Sequence, residues 1–280
     1  MKKFIDIIIK LGSVDRRYIF VLVGLSVLIP LIYPLEIPIR PTQQSQDVFN
    51  AIDALPPNSK VLVSFEYGPS TKPEIHPMSM ALLRQLFGKG FKVYATALWP
   101  DGIFMSNDAF AIMETEFPLE YGVDYVNLGF KPGNEAVVKG IASDIRTLYT
   151  TDARLNQISN IPMMEGINDV SDFDFVFSLS AGYPGTKEWV QYACDPHNIP
   201  MSTGCTSIQV TEVLPYVANG QVKGILAGMP GAAEYEKLIN HPGKATGRMA
   251  AQSFAHLVIV AFIIFGNITY FVQRKREQKK

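Results

Sequence analysis

Lys60 to Phe65 (KVLVSF), the turn Glu66-Tyr67-Gly68-Pro69, and Met78 to Phe87 (MSMALLRQLF), closed by Gly88 and Gly90, decide the fold. The first run is short, apolar and rich in β-branched residues, as a strand buried on both faces should be. The last is amphipathic and stopped by glycine, as a helix should be. The same strand, turn and helix then recur. Phe91 to Leu98 precedes a helix from about Met105 to Phe117. Asp124 to Phe130 precedes Asn134 to Leu148, with Asn134 placed to cap. Phe173 to Ser180 precedes Lys187 to Ala193, after a long loop from Ser159 to Val170. Ile199 to Thr203 precedes Ser207 to Val217, and Lys223 to Ala227 precedes Ala232 to Leu238. Six such units call for an α/β fold: a doubly wound, mainly parallel sheet of about six strands, Rossmann-like or flavodoxin-like, with helices on both faces. The strand order does not follow from the pattern.

Outward from this core, the chain changes character at both ends. Tyr18 to Leu35 and Ser253 to Val272 are uncharged and apolar, each about long enough to cross a ~30 Å hydrocarbon layer as a helix. Five Lys or Arg precede the first against Asp6 and Asp15, and five follow the second against Glu277. Cations concentrate on the cytoplasmic side of spans, so both termini are expected to be cytoplasmic and the middle extracytoplasmic, in the cell membrane. Lys237, Lys244 and Arg248, just before the second span, work against that asymmetry. The first span runs into Pro30, Pro34 and Pro38 with no small-x-small pair, which favours an uncleaved anchor over a signal peptide. Phe4 to Leu11 reads as a short interfacial helix or an extension of the span. His256 in the second span is expected at headgroup level, and Asn267 is a second polar group there.

The expected organisation is a cytoplasmic segment 1–17, a span 18–35, a linker 36–58 with a short helix over Gln43 to Leu55, an α/β domain 59–245, a span 253–272 and a basic tail 273–280. Residues 37 to 252 hold 15 Lys and Arg against 22 Asp and Glu. An acidic domain excludes nucleic acid as a partner and disfavours anionic lipid heads. The expected partners are the bilayer through two spans, other membrane proteins and a small-molecule ligand. The two cysteines, Cys194 and Cys205, fall at opposite ends of a strand, roughly 20 Å apart. Bridged Cα atoms lie within about 7 Å, so two free thiols are expected.

In doubly wound sheets, ligands bind beyond the carboxyl ends of the strands. Here those ends carry Glu66 and Tyr67; Trp99 and Asp101; Lys131 and Gly133; Gly182 and Tyr183; Gly204 and Cys205; and Gly231. Turns between strands and helices have this composition whether or not they bind anything. Three sharper chemistries can be weighed on them. Cys205 precedes a helix, where a thiol is acidified, and His76 or His197 could be its base, but no hydrolase signature surrounds it. Glu66, Glu74, His76 and Asp101 could gather near two strand ends, yet no metal-ligand spacing supports them. Gly182-Tyr-Pro-Gly185-Thr-Lys187 follows a strand and opens a helix, but is two residues short of a phosphate-binding loop. No cofactor and no metal is expected. Tyr67, Trp99, Lys131, Gly133, Gly182, Tyr183, Gly204 and Gly231 are the candidate ligand-binding residues. Glu66, Asp101 and Cys205 are the candidates if the domain is catalytic.

The segments VLVSFEYGP, HPMSMALLRQLF, ALWPDG, DYVNLGFKPG, GAAEYEKL and AQSFAHLVIVAFIIFGNITYF together resemble an uncharacterised family of prokaryotic membrane proteins with a Rossmann-like domain between two terminal anchors. The resemblance covers most of the chain from about Lys60 onward. It implies the fold and the anchoring, draws attention to Phe130 to Gly133 and Gly231 to Glu236, and implies no activity. The expected function is a membrane-anchored binding or scaffolding domain, a subunit of a larger membrane assembly. The alternative is an envelope hydrolase or transferase.

Overall fold

The computed structural model describes residues 15–33 and 38–278. The interfacial stretch expected over residues 4–11 and the start of the linker lie outside them. Contacts divide the chain into an α/β unit, Ile39–Ala245, and a helical unit drawn from Met1–Pro38 and Thr246–Lys280.

The α/β unit is built on β1 (Lys60–Glu66), β2 (Lys92–Ala97), β3 (Tyr125–Phe130), β4 (Phe175–Ser180), β5 (Met201–Cys205) and β6 (Ile225–Ala227). All adjacent pairs are parallel, in the order β3-β2-β1-β4-β5-β6. This is the Rossmann strand order, and it reverses direction between β1 and β4. All six strands lie within two residues of the expected bounds. The polar β5 is shifted as a whole, from 199–203 to Met201–Cys205, so Gly204 and Cys205 belong to the strand and not to the loop beyond it.

The register assigns each side chain to a face. Leu62, Tyr94, Val126, Val176 and Met201 align on one side. They form a core with α5 (Glu135–Ser143), α6 (Ile145–Leu148), the tight turns between Ile158 and Asp172, α7 (Thr186–Trp189) and α9 (Val210–Ala218). On the other side lie α2 (Gln43–Asp53), α3 (Lys72–Gly88), α4 (Gly102–Glu116) and α10 (Gly228–Leu238). There the core is aromatic: Phe65, Phe87, Phe110 and Tyr125 meet ring to ring, Phe110 stacking on Tyr125 at 4.5 Å.

The helices depart from their expected bounds for local reasons. α3 starts at Lys72 and not Met78: Pro73 falls in the first turn, where its missing N–H costs little, and Pro77 is carried inside the helix. It ends where expected: Gly90 takes a left-handed φ of 72°, and Phe91 N–H closes on Leu86 O at 3.0 Å. Asn134 precedes α5 but does not cap it; its φ is 51° and its side chain makes no capping bond. The expected helix at 187–193 continues from α7 through a wider turn, Val190–Cys194, into α8 (Asp195–His197). Cys194 and Cys205 are both free and buried.

In the helical unit, α1 (Arg16–Ile32) is capped by the Asp15 side chain, and α11 runs from Lys244 to Glu277. Among the described residues one helix is long and apolar enough to cross a membrane, Lys244–Lys275, with 6% of its apolar window buried. α1 has 17 residues, about 25 Å of helix, short of a ~30 Å core. The expected span at 18–35 is thus present as helix only to Ile32, and residues 34–37 are not among those described. In α11 the polar groups serve the helix itself: Asn267 Nδ2 donates to Ile263 O at 2.9 Å, and Thr269 Oγ1 to Phe265 O at 3.2 Å.

Candidate functional site

The strand order reverses between β1 and β4, and at their carboxyl ends a doubly wound sheet places its crevice. The loop after β2 reaches across this opening. Trp99 Nε1 donates to Pro184 O at 3.0 Å, and its ring lies against Gly182, where a Cβ would come within 3.1 Å of the indole. Glycine at 182 therefore lets the indole close over the switch point. On the β4 side, Ala181 N donates to Glu66 O at 2.9 Å, stitching the two strand ends together.

Beneath that closure Glu66 is fully buried (0% exposed). Its carboxyl accepts from Trp189 Nε1 at 2.7 Å and from Ser178 Oγ at 2.9 Å. No cation offsets the loss of water, so burial pushes its pKa up to about 7, with Ser64, Trp189 and Ser178 pulling it back and nearby Glu188 adding to the rise. From Ser178 a chain of hydroxyls continues to Thr186 at 3.2 Å and on to Thr203 at 2.6 Å. Thr203 Oγ1 returns a bond to Ser178 O at 2.9 Å.

Thr186 also borders a cavity of about 270 Å³ beyond the ends of β4 and β5. Gly182, Tyr183 and Lys187 form one wall, Gln191, Tyr192 and Glu135 another, and Gln209, Glu212 and Val213 of the α9 region a third. Glu188 is buried in its floor, with Oε2 accepting Gly185 N–H at 2.8 Å. Glu135 accepts Tyr192 OH at 3.2 Å and pairs with Lys139 at 3.3 Å, while the Lys139 ammonium sits 4.2 Å over the Tyr192 ring.

Of the residues singled out from the sequence, Trp99, Gly182 and Tyr183 come together at the switch point, and the latter two line the cavity. Tyr67 is enclosed on the opposite face, its hydroxyl hydrogen-bonded to His76 Nδ1 at 2.8 Å and Ser79 Oγ at 3.0 Å. Lys131 lies 5.3 Å over the Tyr149 ring. Gly133 holds φ at 139°. Gly204 lies under Met78, and Gly231, in the first turn of α10, lies against the Leu226 backbone. Both glycines therefore serve close packing. Glu66, Asp101 and Cys205 do not converge. Glu66 and Cys205 are in register across β4, two strand spacings or about 10 Å apart. Cys205 is buried and its thiol is pushed up to about 12 by that burial, with Glu74 and Glu212 adding to the rise. Asp101 is exposed, its carboxylate against Gly68.

The four metal-ligand candidates are likewise dispersed among separate partners: Glu74 accepts from Ser207 N and Oγ at 2.7 Å each, and His76 Nε2 lies 3.4 Å from Asp108. Among the described residues no group of three or more His, Cys, Asp or Glu could hold a metal ion. Reading the sequence missed Ser178, Thr186, Trp189, Gln209 and Glu212. A usable signal was present: polar residues recur with period two at the strand ends, as Ser64 and Glu66, and as Ser178 and Ser180. No family model, curated protein or solved structure matches the chain. Of the resemblance drawn from the sequence, what stands is an α/β domain followed by a C-terminal apolar helix.

Proposed function

We propose that the chain is a membrane-anchored, extracytoplasmic binding or scaffolding domain and a subunit of a larger membrane assembly. The observation that carries this reading is the apolar character of the carboxyl rim. Ile208, Phe104 and Tyr183 are 88%, 68% and 60% exposed, three of the four most exposed large apolar side chains in the α/β unit. They follow the carboxyl ends of β2, β4 and β5, Phe104 in the first turn of α4 and the other two in loops. Exposed apolar side chains on one edge of a rigid scaffold mark a contact surface. Anchoring by both ends is supported by the exposed apolar side chains of α1 and α11, and the orientation by the basic flanks at 1–17 and 273–280.

Purification of the tagged full chain in mild detergent, with mass spectrometry of what accompanies it, tests the reading. Stoichiometric membrane partners are expected, and they should be lost when Phe104, Tyr183 and Ile208 are all replaced by Ser. A protein that elutes alone would overturn it. The alternative, an envelope hydrolase or transferase, is favoured by one observation: a carboxyl group with pKa near 7 at the switch point of the sheet. Against it stands the enclosure of that carboxyl, which adjoins the cavity only through Ser178 and Thr186.

A further inference from the structure

The cavity beyond β4 and β5 contains groups whose bonding is complete and groups whose bonding is not. Glu135 and Glu188 are engaged by Tyr192, Lys139 and the Gly185 N–H, and Thr186 by the hydroxyls behind it. Gln191 gives Nε2 to Tyr216 OH at 3.0 Å. Lys187 and Glu212, by contrast, both line the cavity, and their side chains take part in no hydrogen bond or ion pair, with each other or with any described residue. Gln209 Oε1 is a buried acceptor with no donor. An unmet buried acceptor is costly, and a ligand N–H would satisfy it. The cavity thus offers one carboxylate with no partner, Glu212, a second, Glu188, held by a backbone N–H and by no cation, one free cation and one buried acceptor, with the exposed Tyr183 ring at its lip. At about 270 Å³ it is smaller than the ~300–1,000 Å³ of drug-sized sites.

A cation alone would leave Lys187 opposing it, and an anion alone would meet Glu212. A molecule carrying both charges a few ångströms apart satisfies both, and its ammonium supplies the N–H that Gln209 lacks. We infer that this cavity binds a small zwitterion, an α-amino acid, with its ammonium on Glu212 and Gln209, its carboxylate on Lys187 and its side chain on Tyr183. This names a ligand class for the proposed binding domain and rests on that reading only in treating the domain as a recognition module.

The test is calorimetric titration of the full-length protein in detergent with the common α-amino acids, and with the amine and the carboxylic acid that match whichever binds best. Both matched analogues are expected to bind at least tenfold more weakly than the amino acid. Glu212→Gln and Lys187→Met should each weaken binding about 10- to 100-fold, as loss of a charged hydrogen bond does, while Tm stays unchanged because both side chains are exposed. If no amino acid binds, or if the amine alone binds as tightly as its parent, the inference fails. It also fails if Lys187→Met leaves affinity unchanged. Loss of copurifying partners would leave this result standing, so the two readings fail separately.

Discussion

The two faces of the central strands β1 and β4 are built from opposite chemistry. On the face toward α3 and α4, β1 presents Val61, Val63 and Phe65, and β4 presents Phe175, Phe177 and Leu179. One residue out of phase, the same strands present Leu62, Ser64 and Glu66, and Val176, Ser178 and Ser180. The first face stays apolar to its carboxyl end. The second turns polar over its last two layers, and that end adjoins the cavity. Both are fully buried, so the difference is not between inside and outside. An aromatic interior gains by area removed from water, while a polar interior must complete its hydrogen bonds or lose stability. The comparison teaches that the half of the core next to the cavity holds hydroxyls, a carboxyl and an indole N–H where hydrocarbon would have served stability better.

Substitution should cost most on the apolar face. Phe65→Ala removes a ring packed against Tyr67 and Phe110 and should cost about 3–5 kcal/mol in denaturant unfolding. On the polar face the expected signature is pH. Glu66 is raised to about 7 in the folded chain from 4.5, so the folded state holds its proton longer than the unfolded one. Its contribution is full below pH 4.5 and is lost as pH rises to about 7, then stays flat. Across that window stability should fall by roughly 3 kcal/mol. Glu66→Gln should abolish the fall, since an amide can still accept from Trp189; a slope that survives would locate the titration elsewhere. Trp189→Phe takes the indole donor from the buried carboxyl and should cost about 1–3 kcal/mol, more at pH 8 than at pH 5. Smallest is the rim: Tyr183→Ala should move stability by less than ~0.5 kcal/mol, because that ring is exposed and belongs to neither core.

The fold was largely legible because apolar runs and glycine stops are local signals, and β1 with its following turn already contained them. Strand order was not legible, since which strands pair depends on contacts far apart in sequence. Nor was the start of α3, where Pro73 falls in the first turn and Pro77 lies inside the helix. β5 was shifted by two residues because Gly204 and Cys205 look like a loop, and only their pairing with Leu179 and Ser180 makes them strand. For the site, Gly182 and Tyr183 could be named because every strand end could be named. The residues that complete the cavity sit on α5, α7 and α9, elements brought together by crossovers that no single window contains. Glu66 was noticed for its charge, but its partner Trp189 is 123 residues away.

The chain has two tryptophans, and they stand at two depths of one structure. Trp189 is sealed in and donates to the Glu66 carboxyl; Trp99 is half-buried and spans the loops at the rim. The first indole senses whether a negative charge has formed beside it, and the second senses what covers the rim. Intrinsic fluorescence thus supplies two native optical probes, separable by the Trp189→Phe and Trp99→Phe variants, with no label attached.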